Sequence, residues 1–514
     1  VPISLERESA LFLDQFLDEF QTAVRKIFYA ADMVLNRDFR FNTFFLSFLA
    51  GVSCFGEFCF DSLMFYILQL ALLCWVVWHR DLLKKAEIWR PLALLILLGF
   101  LLGVGRAWLD YRPLPPGIGL HVQMLGRVAA LPDKKGMNQE VILESAEPGK
   151  AAVRVLAVFA VQENISYGDR IIFSGKRQDV SALDAVMQSN LFRRRIDCYV
   201  QQAALLKKVG QGDFLDPVGL IFRWRQVFLD ALSRTLSEPA ASLVAGILIG
   251  ERGNIPVAVS QDFQTTGLTH ILAISGFNIT LIINLIIFFS GSWKKGRRFV
   301  FSLVMILIFV VMTGAGASVV RAGVMGVLML FCKTLGRRVK AFRVVLLSAF
   351  LIVFNDPRLL NLDLSFQLSV MATMSLVCFS ESLEFTCPLK WQEMIREGVT
   401  TTLAAQILTL PLMFYSFGRI SLISPLANLL IGPVIPVLMF LGALQLAAAL
   451  LLQPLAIMLA SLCELVVQVM LTVIGFLAKI PLAQLEVGQG QIWLAVLYYL
   501  GIYFIFRKRR PAQN

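Results

Sequence analysis

Polar side chains recur inside one long apolar stretch of this 514-residue chain, TTGLTHILAISGFNITLIINLIIF at residues 265–288. His270, Ser275, Asn278 and Asn284 interrupt a run long enough to cross a bilayer, which takes about 20 residues. On a helix turning about 100° per residue, the four fall within one half of the circumference. They could face a protein interior or a wet path while Ile271, Leu272, Ile279 and Ile287 meet other surroundings. The Ser275-Gly276 pair permits a local bend or unwinding. The plain structural alternative for each is a hydrogen bond to a neighbouring helix, worth about 0.6 to 2 kcal/mol.

Further along, Arg321 lies among Gly316, Ala317, Ser318, Ala322 and Gly323. A guanidinium at mid-bilayer costs about 2.5 to 3.5 kcal/mol, so it needs a partner or water. Asp363, one turn before Gln367, is one candidate partner; a phosphate, whose oxygens fit the planar fork, is the other. Ser365, Gln367 and Ser369, then Gln406, Asn428, Glu464 and Gln468, supply the remaining polarity within apolar runs. No catalytic constellation accompanies them. The chain contains no Walker A sequence, its only histidines are His79, His121 and His270, and its eight cysteines lack C-x-x-C spacing. Neither an enzyme nor a bound metal or cofactor is expected. Cys54 and Cys59 are close enough in sequence to pair, with two small buried thiols as the alternative.

The segment GILIGERGNIPVAVSQDFQTTGLTHILAISGFNITLI resembles the signature of the ComEC family, membrane proteins of bacterial natural competence. TGAGASVVRAGVMG, NDPRLLNLDLSFQLSVMAT and FGRISLISPLANLLIGPVIP resemble later parts of the same competence domain, in the same order. Together they cover about residues 240–450. The resemblance departs at Asn278, where many members carry a second histidine. It implies a channel for single-stranded DNA, driven by a cytoplasmic translocation ATPase and fed by an extracytoplasmic DNA receptor. It also implies a soluble OB-like module. The three histidines cannot make the H-x-H-x-D-H metal motif of the lactamase-like domain in longer members, so a form without that domain is expected.

Composition agrees with a membrane protein: 57% hydrophobic, 16% charged, mean hydropathy +0.72. The net charge of +12 suits anionic lipid or nucleic acid, and basic cytoplasmic loops alone also produce it. No cleavable signal peptide is expected, because no apolar run occurs before about residue 42. Phe12, Phe16 and Phe20 with Leu13 and Leu17 share one face of an amphipathic helix within 1–40. Apolar spans at about 42–60, 63–78 and 91–108 follow, and Arg80, Lys84, Lys85 and Arg90 place the loop before the third in the cytoplasm.

Residues 111–210 change period. Five short β-rich runs separated by turn signals such as Pro148-Gly149 and Gly168-Asp169 predict a small extracytoplasmic β-barrel of the OB type. Its helix, SALDAVMQSNLF, falls between the fourth and fifth strands, unlike the standard OB order. Between Arg112 and Lys208 there are 14 Lys and Arg against 9 Asp and Glu, a net of +5. Arg193, Arg194 and Arg195, with Lys176 and Arg177, are the DNA-binding candidates. A solvated loop or lipid headgroups explain the arginine cluster equally well.

Residues 211–265 read as interfacial helices, including DPVGLIFRWRQVFLDALSRTL and an apolar ASLVAGILIG too short to span. Basic loops at Lys294–Arg298 and Lys333–Arg343, two crossings apart, put His270 toward the outside. Treating ISPLANLLIGP as a broken or re-entrant segment puts the basic tail, 509–514, inside. The expected architecture is therefore a polytopic α-helical membrane protein of about eleven spans with an inserted OB-like barrel and both termini cytoplasmic. Its parts are an N-terminal segment 1–40, helices 41–110, the barrel, the interfacial helices and a channel domain 266–508. The expected channel residues are His270, Ser275, Gly276, Asn278, Arg321, Asp363, Gln367 and Asn428. The functional reading is passage of single-stranded DNA through the cytoplasmic membrane, with membrane lipid as the other partner and a homo-oligomer compatible. A secondary transporter of a small solute or proton, suggested by Glu464 and Pro425, Pro433 and Pro436, stays open beside it, as does a membrane scaffold.

Overall fold

The structure is a computed structural model that describes residues 38–53, 86–110, 121–135, 137–145, 153–178, 183–210, 216–251, 255–272, 276–290, 293–337, 340–380, 390–486, 494–495 and 497–502. The amphipathic segment before residue 38, Cys54 and Cys59, the 63–78 span, Ser275 and the basic tail lie outside the described residues.

The first two described helices, α1 (Asp38–Ser53) and α2 (Ala86–Asp110), meet backbone to backbone. A Cβ on Gly103 would lie 2.2 Å from the Phe48 carbonyl oxygen, and one on Gly51 2.2 Å from that of Phe100. Without a solvent-driven hydrophobic effect between helices in lipid, such close approach is what small residues gain there.

The barrel follows: β1 (His121–Val128), β2 (Asp133–Lys135), β3 (Asn138–Ser145), β4 (Val153–Ala160), β5 (Arg170–Gln178), α3 (Ala185–Arg193) and β6 (Cys198–Gly210). β1, β3, β4, β6 and β5 close a ring through the β1–β3 and β1–β5 pairings, while β2 is a short extension on β3. All ring pairings are antiparallel except β4 with β6. Alternation in β3 and β5 turns Val141, Leu143, Ile171 and Phe173 inward, where Val155, Phe159 and Val200 join them. The helix α3 forms where the sequence places it, between the last two ring strands. Asp184 caps it by accepting from the Met187 N–H, and it covers a second small core of Leu156, Leu191, Ile196 and Tyr199.

The remaining elements are α4 (Pro217–Thr235), α5 (Ala240–Ile249), α6 (Val257–Thr265), a 3₁₀ turn at Thr269–Ile271, α7 (Gly276–Phe289), α8 (Lys295–Met312), α9 (Ala317–Thr334), α10 (Ala341–Asn355), α11 (Arg358–Leu362), α12 (Leu364–Phe379), α13 (Lys390–Phe417), β7 (Arg419–Ser421), α14 (Ser424–Ile431), α15 (Val434–Leu451), α16 (Gln453–Ala478) and β8 (Gln484–Glu486). Among the described residues four stretches are long and apolar enough to cross a membrane: α9, residues 398–417 of α13, α15 and α16. Shorter apolar helices, α10 and α12 among them, accompany these four. The ISPLANLLIGP segment breaks as expected, with α14 ending before Gly432 and Pro433 opening α15.

The helical body has two cores. One unites α4, α5, α6, α14, α15 and α16; the other unites α1, α2, α10, α11, α12 and α13. Between them α7, α8 and α9 pack around Ile279, Phe309, Val319 and Ala322. Within the first core, α5 is packed on all sides. Every residue of it but Leu248 is buried, because a helix apolar on all sides gains most by entering the core. The C-terminal end of α4 follows it inward: Thr235 meets Gln445 of α15, and Ser237 meets Glu464 of α16. The β7–β8 pairing brings the loop after α13 and the loop after α16 to the same end of the body.

Candidate functional site

The stretch around His270 is built differently from the single helix its hydropathy suggests. α6 ends at Thr265, a 3₁₀ turn holds His270, and α7 starts only at Gly276. Gly267 makes the break. Its φ is +71°, a left-handed conformation that a side chain disfavours, and a Cβ there would lie 2.8 Å from Ser424 Cβ. With α7 starting only at Gly276, His270 is on a different element from Asn278 and Asn284, and the common helical face does not form.

That close approach assembles a polar hub. Ser424 Oγ, buried at the start of α14, accepts from Gln406 Nε2 at 3.0 Å and from Asn428 Nδ2 at 3.3 Å. Three residues after Gly267, His270 Nδ1 lies 3.3 Å from the Gly267 carbonyl oxygen. The imidazole is exposed.

Six residues on, Gly276 begins α7 beside Arg321. A Cβ on this glycine would touch Ala322 Cβ at 3.6 Å and Arg321 Nη2 at 3.9 Å. Arg321 is 6% exposed. Its Nε donates to Ser369 Oγ at 2.9 Å and its Nη1 to Thr373 Oγ1 at 2.9 Å, with Met325 Sδ at 3.1 Å. Ser369 and Thr373 are one turn apart on α12, so a single helix face supplies both hydroxyls. The Asp363 partnership expected from sequence does not form. Among the described residues no carboxylate pairs with Arg321, and Nη2 has no hydrogen-bond partner although it is not sealed from solvent. The amino end of α7 adds its partial positive charge at the same place.

Asp363 belongs instead to the joint between the barrel and the helical body. Its Oδ1 caps α12 by accepting from the Phe366 N–H at 2.9 Å, and its Oδ2 meets Arg193 Nη1 at 2.7 Å. Arg195 approaches Asp356 at 3.7 Å, and Arg194 turns back to Glu140 of the barrel at 3.0 Å. The helical body reciprocates. Arg358 donates to the Phe192 carbonyl at 2.8 Å, which also accepts from the Arg195 N–H at the end of α3, and stacks over the Phe192 ring at 4.7 Å. Three of the four candidate DNA-binding arginines, Arg193, Arg194 and Arg195, thus have carboxylate partners. Lys176 is exposed and Arg177 half-buried on β5. On the other side, Arg127 pairs with Asp216 at 3.1 Å and Tyr167 packs edge-on against Phe222. Burial and the nearby Asp216 carboxylate raise the Tyr167 phenol above its ordinary pKa.

Two expected channel residues serve as braces. Gln367 Nε2 donates to the Leu360 and Asn361 carbonyls at 2.8 and 3.0 Å, which closes the end of α11. Asn278 Nδ2 donates to the Ile247 carbonyl at 2.8 Å near the end of α5. Of the expected set, the structure sets Gly276 beside Arg321 and gives Asn428 to Ser424, while Asn278, Asp363 and Gln367 are engaged elsewhere. Sequence reasoning missed Gly267 and Ser424 as the crossing point and Thr373 as the second hydroxyl. The Ser369-to-Thr373 spacing of one helical turn was the available signal for the last.

A protein-family model described as competence protein matches residues 247–511, just over half of the chain. ComE operon protein 3 of Bacillus subtilis (strain 168) is 25% identical over 211 residues, which is 41% of this chain and 26% of the relative. The chain thus matches about a quarter of that relative's length. No solved structure matches.

Proposed function

The chain belongs to the competence protein family, and from that membership we propose that it passes single-stranded DNA across the cytoplasmic membrane during natural transformation. The observation that carries this reading is the state of Arg321. A membrane-buried guanidinium ordinarily finds a carboxylate, because an uncompensated charge is costly there. This one is held by two hydroxyls and a thioether, which fix its position without cancelling its charge. Its remaining amine adjoins the positive end of α7. Such a site attracts a phosphodiester and lets it go again, since only one fork of the guanidinium is offered.

Gln406, Ser424 and Asn428 add a neutral polar cluster, and among the described residues no carboxylate is hydrogen-bonded within it. Asp363 and Asp356 spend their charge on the barrel arginines. We read the barrel as OB-like and extracytoplasmic, since its five-stranded ring with one parallel pair fits that class. Basic residues at the far ends of α8, α9 and α10, Lys295, Lys333 and Lys340, then face the cytoplasm. With no nucleotide-binding motif in the sequence, the driving force comes from a separate ATPase, and a receptor outside delivers the strand. The chain itself is not an enzyme in this reading.

The test is transformation in a naturally competent host whose own copy is replaced by this chain. Arg321→Ala is expected to leave DNA bound at the cell surface and to lower entry of labelled strand about 10- to 100-fold. That is the rate equivalent of a charge-assisted contact of about 1.5 to 3 kcal/mol. Unchanged entry with normal membrane insertion would remove Arg321 from the route.

A further inference from the structure

The ladder of α13 is disturbed at three points between residues 404 and 411. Pro411 has no N–H to give the Ile407 carbonyl, and a proline inside a helix kinks it. Just before it, the Ser375 hydroxyl of α12 enters the ladder. The Leu408 N–H donates to Ser375 Oγ at 3.2 Å, and that hydroxyl donates in turn to the Ala404 carbonyl. The third is Tyr499, whose hydroxyl donates to the Leu408 carbonyl at 2.7 Å. Ser375, Ala404, Leu412 and Tyr499 are all buried, where a freed peptide group finds no water. Side chains that catch the ladder where it opens let a helix bend without leaving such groups bare. On the amino-terminal side of this joint, α13 meets α14 across the seam between the two cores. Gln406 Nε2 donates to Ser424 Oγ at 3.0 Å, and a Cβ on Gly398 would lie 3.1 Å from Leu429 Cδ1. α14 has no charged residue, so no ion pair holds that contact shut.

We infer that α13 is a jointed helix whose amino-terminal arm pivots at 404–411, between a closed position against α14 and an open one that parts the two cores. Ser375 and Tyr499 keep the opened ladder bonded in both positions, since a hydroxyl can donate and accept at once. α12 is the fixed post. Ser369 and Thr373 hold Arg321 from one side of it, while Ser375, about 200° round the helix from Thr373, holds the joint from the other. The arm therefore moves while Arg321 keeps its partners. Closing is as cheap as opening, because the contacts exchanged are one amide–hydroxyl bond and apolar packing. The pivot rests on the strand-passage reading only for its purpose, which is to widen the seam for a strand.

The experiment puts nitroxide labels on p-acetylphenylalanine at Thr401 and Leu430, both exposed, in the full chain in nanodiscs without DNA. Double electron–electron resonance then reads the separation of the arm from α14. Two populated distances are expected, the longer one being the open position. Pro411→Ala, which gives the Ile407 carbonyl a donor, is expected to lower the open-to-closed ratio about three- to tenfold, the equilibrium equivalent of one hydrogen bond. Gly398→Trp, too large for its place against Leu429, is expected to raise the ratio by at least as much, and it keeps the test decisive should Pro411→Ala insert poorly. A single distance common to all three chains, or two distances whose ratio neither variant moves, would overturn the inference. With no DNA present, that result is separate from the outcome of the Arg321 transformation test.

Discussion

Arg193, Arg194 and Arg195 on the barrel and Arg321 in the helical body carry the same group and are treated in opposite ways. The barrel arginines form the densest positive patch of their domain, and each has a carboxylate to hold. Arg321 stands alone in sequence, is more deeply buried, and is given only hydroxyls and a sulfur. Charge density therefore marks a structural joint in the first region, while charge left uncancelled marks the candidate route in the second. What distinguishes them is the chemistry of the partner, which the local sequence around each arginine does not display.

The sharpest way to break this comparison is to remove one arginine from each region. Arg321→Ala should lower strand entry by the 10- to 100-fold already stated, whereas Arg194→Ala, which leaves Glu140 at a half-exposed surface, should change entry by less than about twofold. Equal losses in quantitative transformation assays would erase the distinction. Next in size is Gly267→Val, which forces a branched side chain into left-handed backbone against Ser424. A loss of about 2 to 4 kcal/mol is expected, read as a lower melting temperature in detergent, and a wild-type melting curve would mean the crossing is looser than described.

A smaller effect is expected at the joint. Asp363→Ala removes both a helix cap and an ion pair, together about 1 to 2 kcal/mol. Asp363→Asn keeps the cap acceptor and should recover most of that stability in chemical denaturation; no difference between the two would assign the whole effect to the ion pair. Smallest of all is Arg195→Ala. Its pair with Asp356 spans 3.7 Å at a side chain 41% exposed, so less than about 0.5 kcal/mol is at stake, and the loss should vanish at high salt.

Elements with a strong period were legible from sequence. The barrel strands alternate over eight or nine residues between turn signals, and α3 follows an Asp184 cap, so that module follows from local pattern. The long apolar runs on either side of the basic loops likewise become the helices α8, α9, α10 and α12. The candidate site was legible only in its residue types. His270 and Asn278 lie in one apolar run, yet hydropathy cannot register that Gly267 adopts φ +71° just ahead of His270, because its close neighbour is Ser424, over 150 residues away. Arg321 was identifiable as costly, with Asp363 as one candidate partner and a phosphate as the other. The choice of Ser369 and Thr373 rests on tertiary packing, which also hands Asp363 to Arg193.

The most direct test of the route is a photoreactive residue at Thr280, which is exposed one turn beyond Gly276 on α7. Donor DNA bearing a bulky protein block at its trailing end would stall partway through the membrane. The account predicts a covalent adduct between the stalled single strand and the probe, lost in Arg321→Ala. A stalled strand that never labels this position, with uptake otherwise intact, would contradict it.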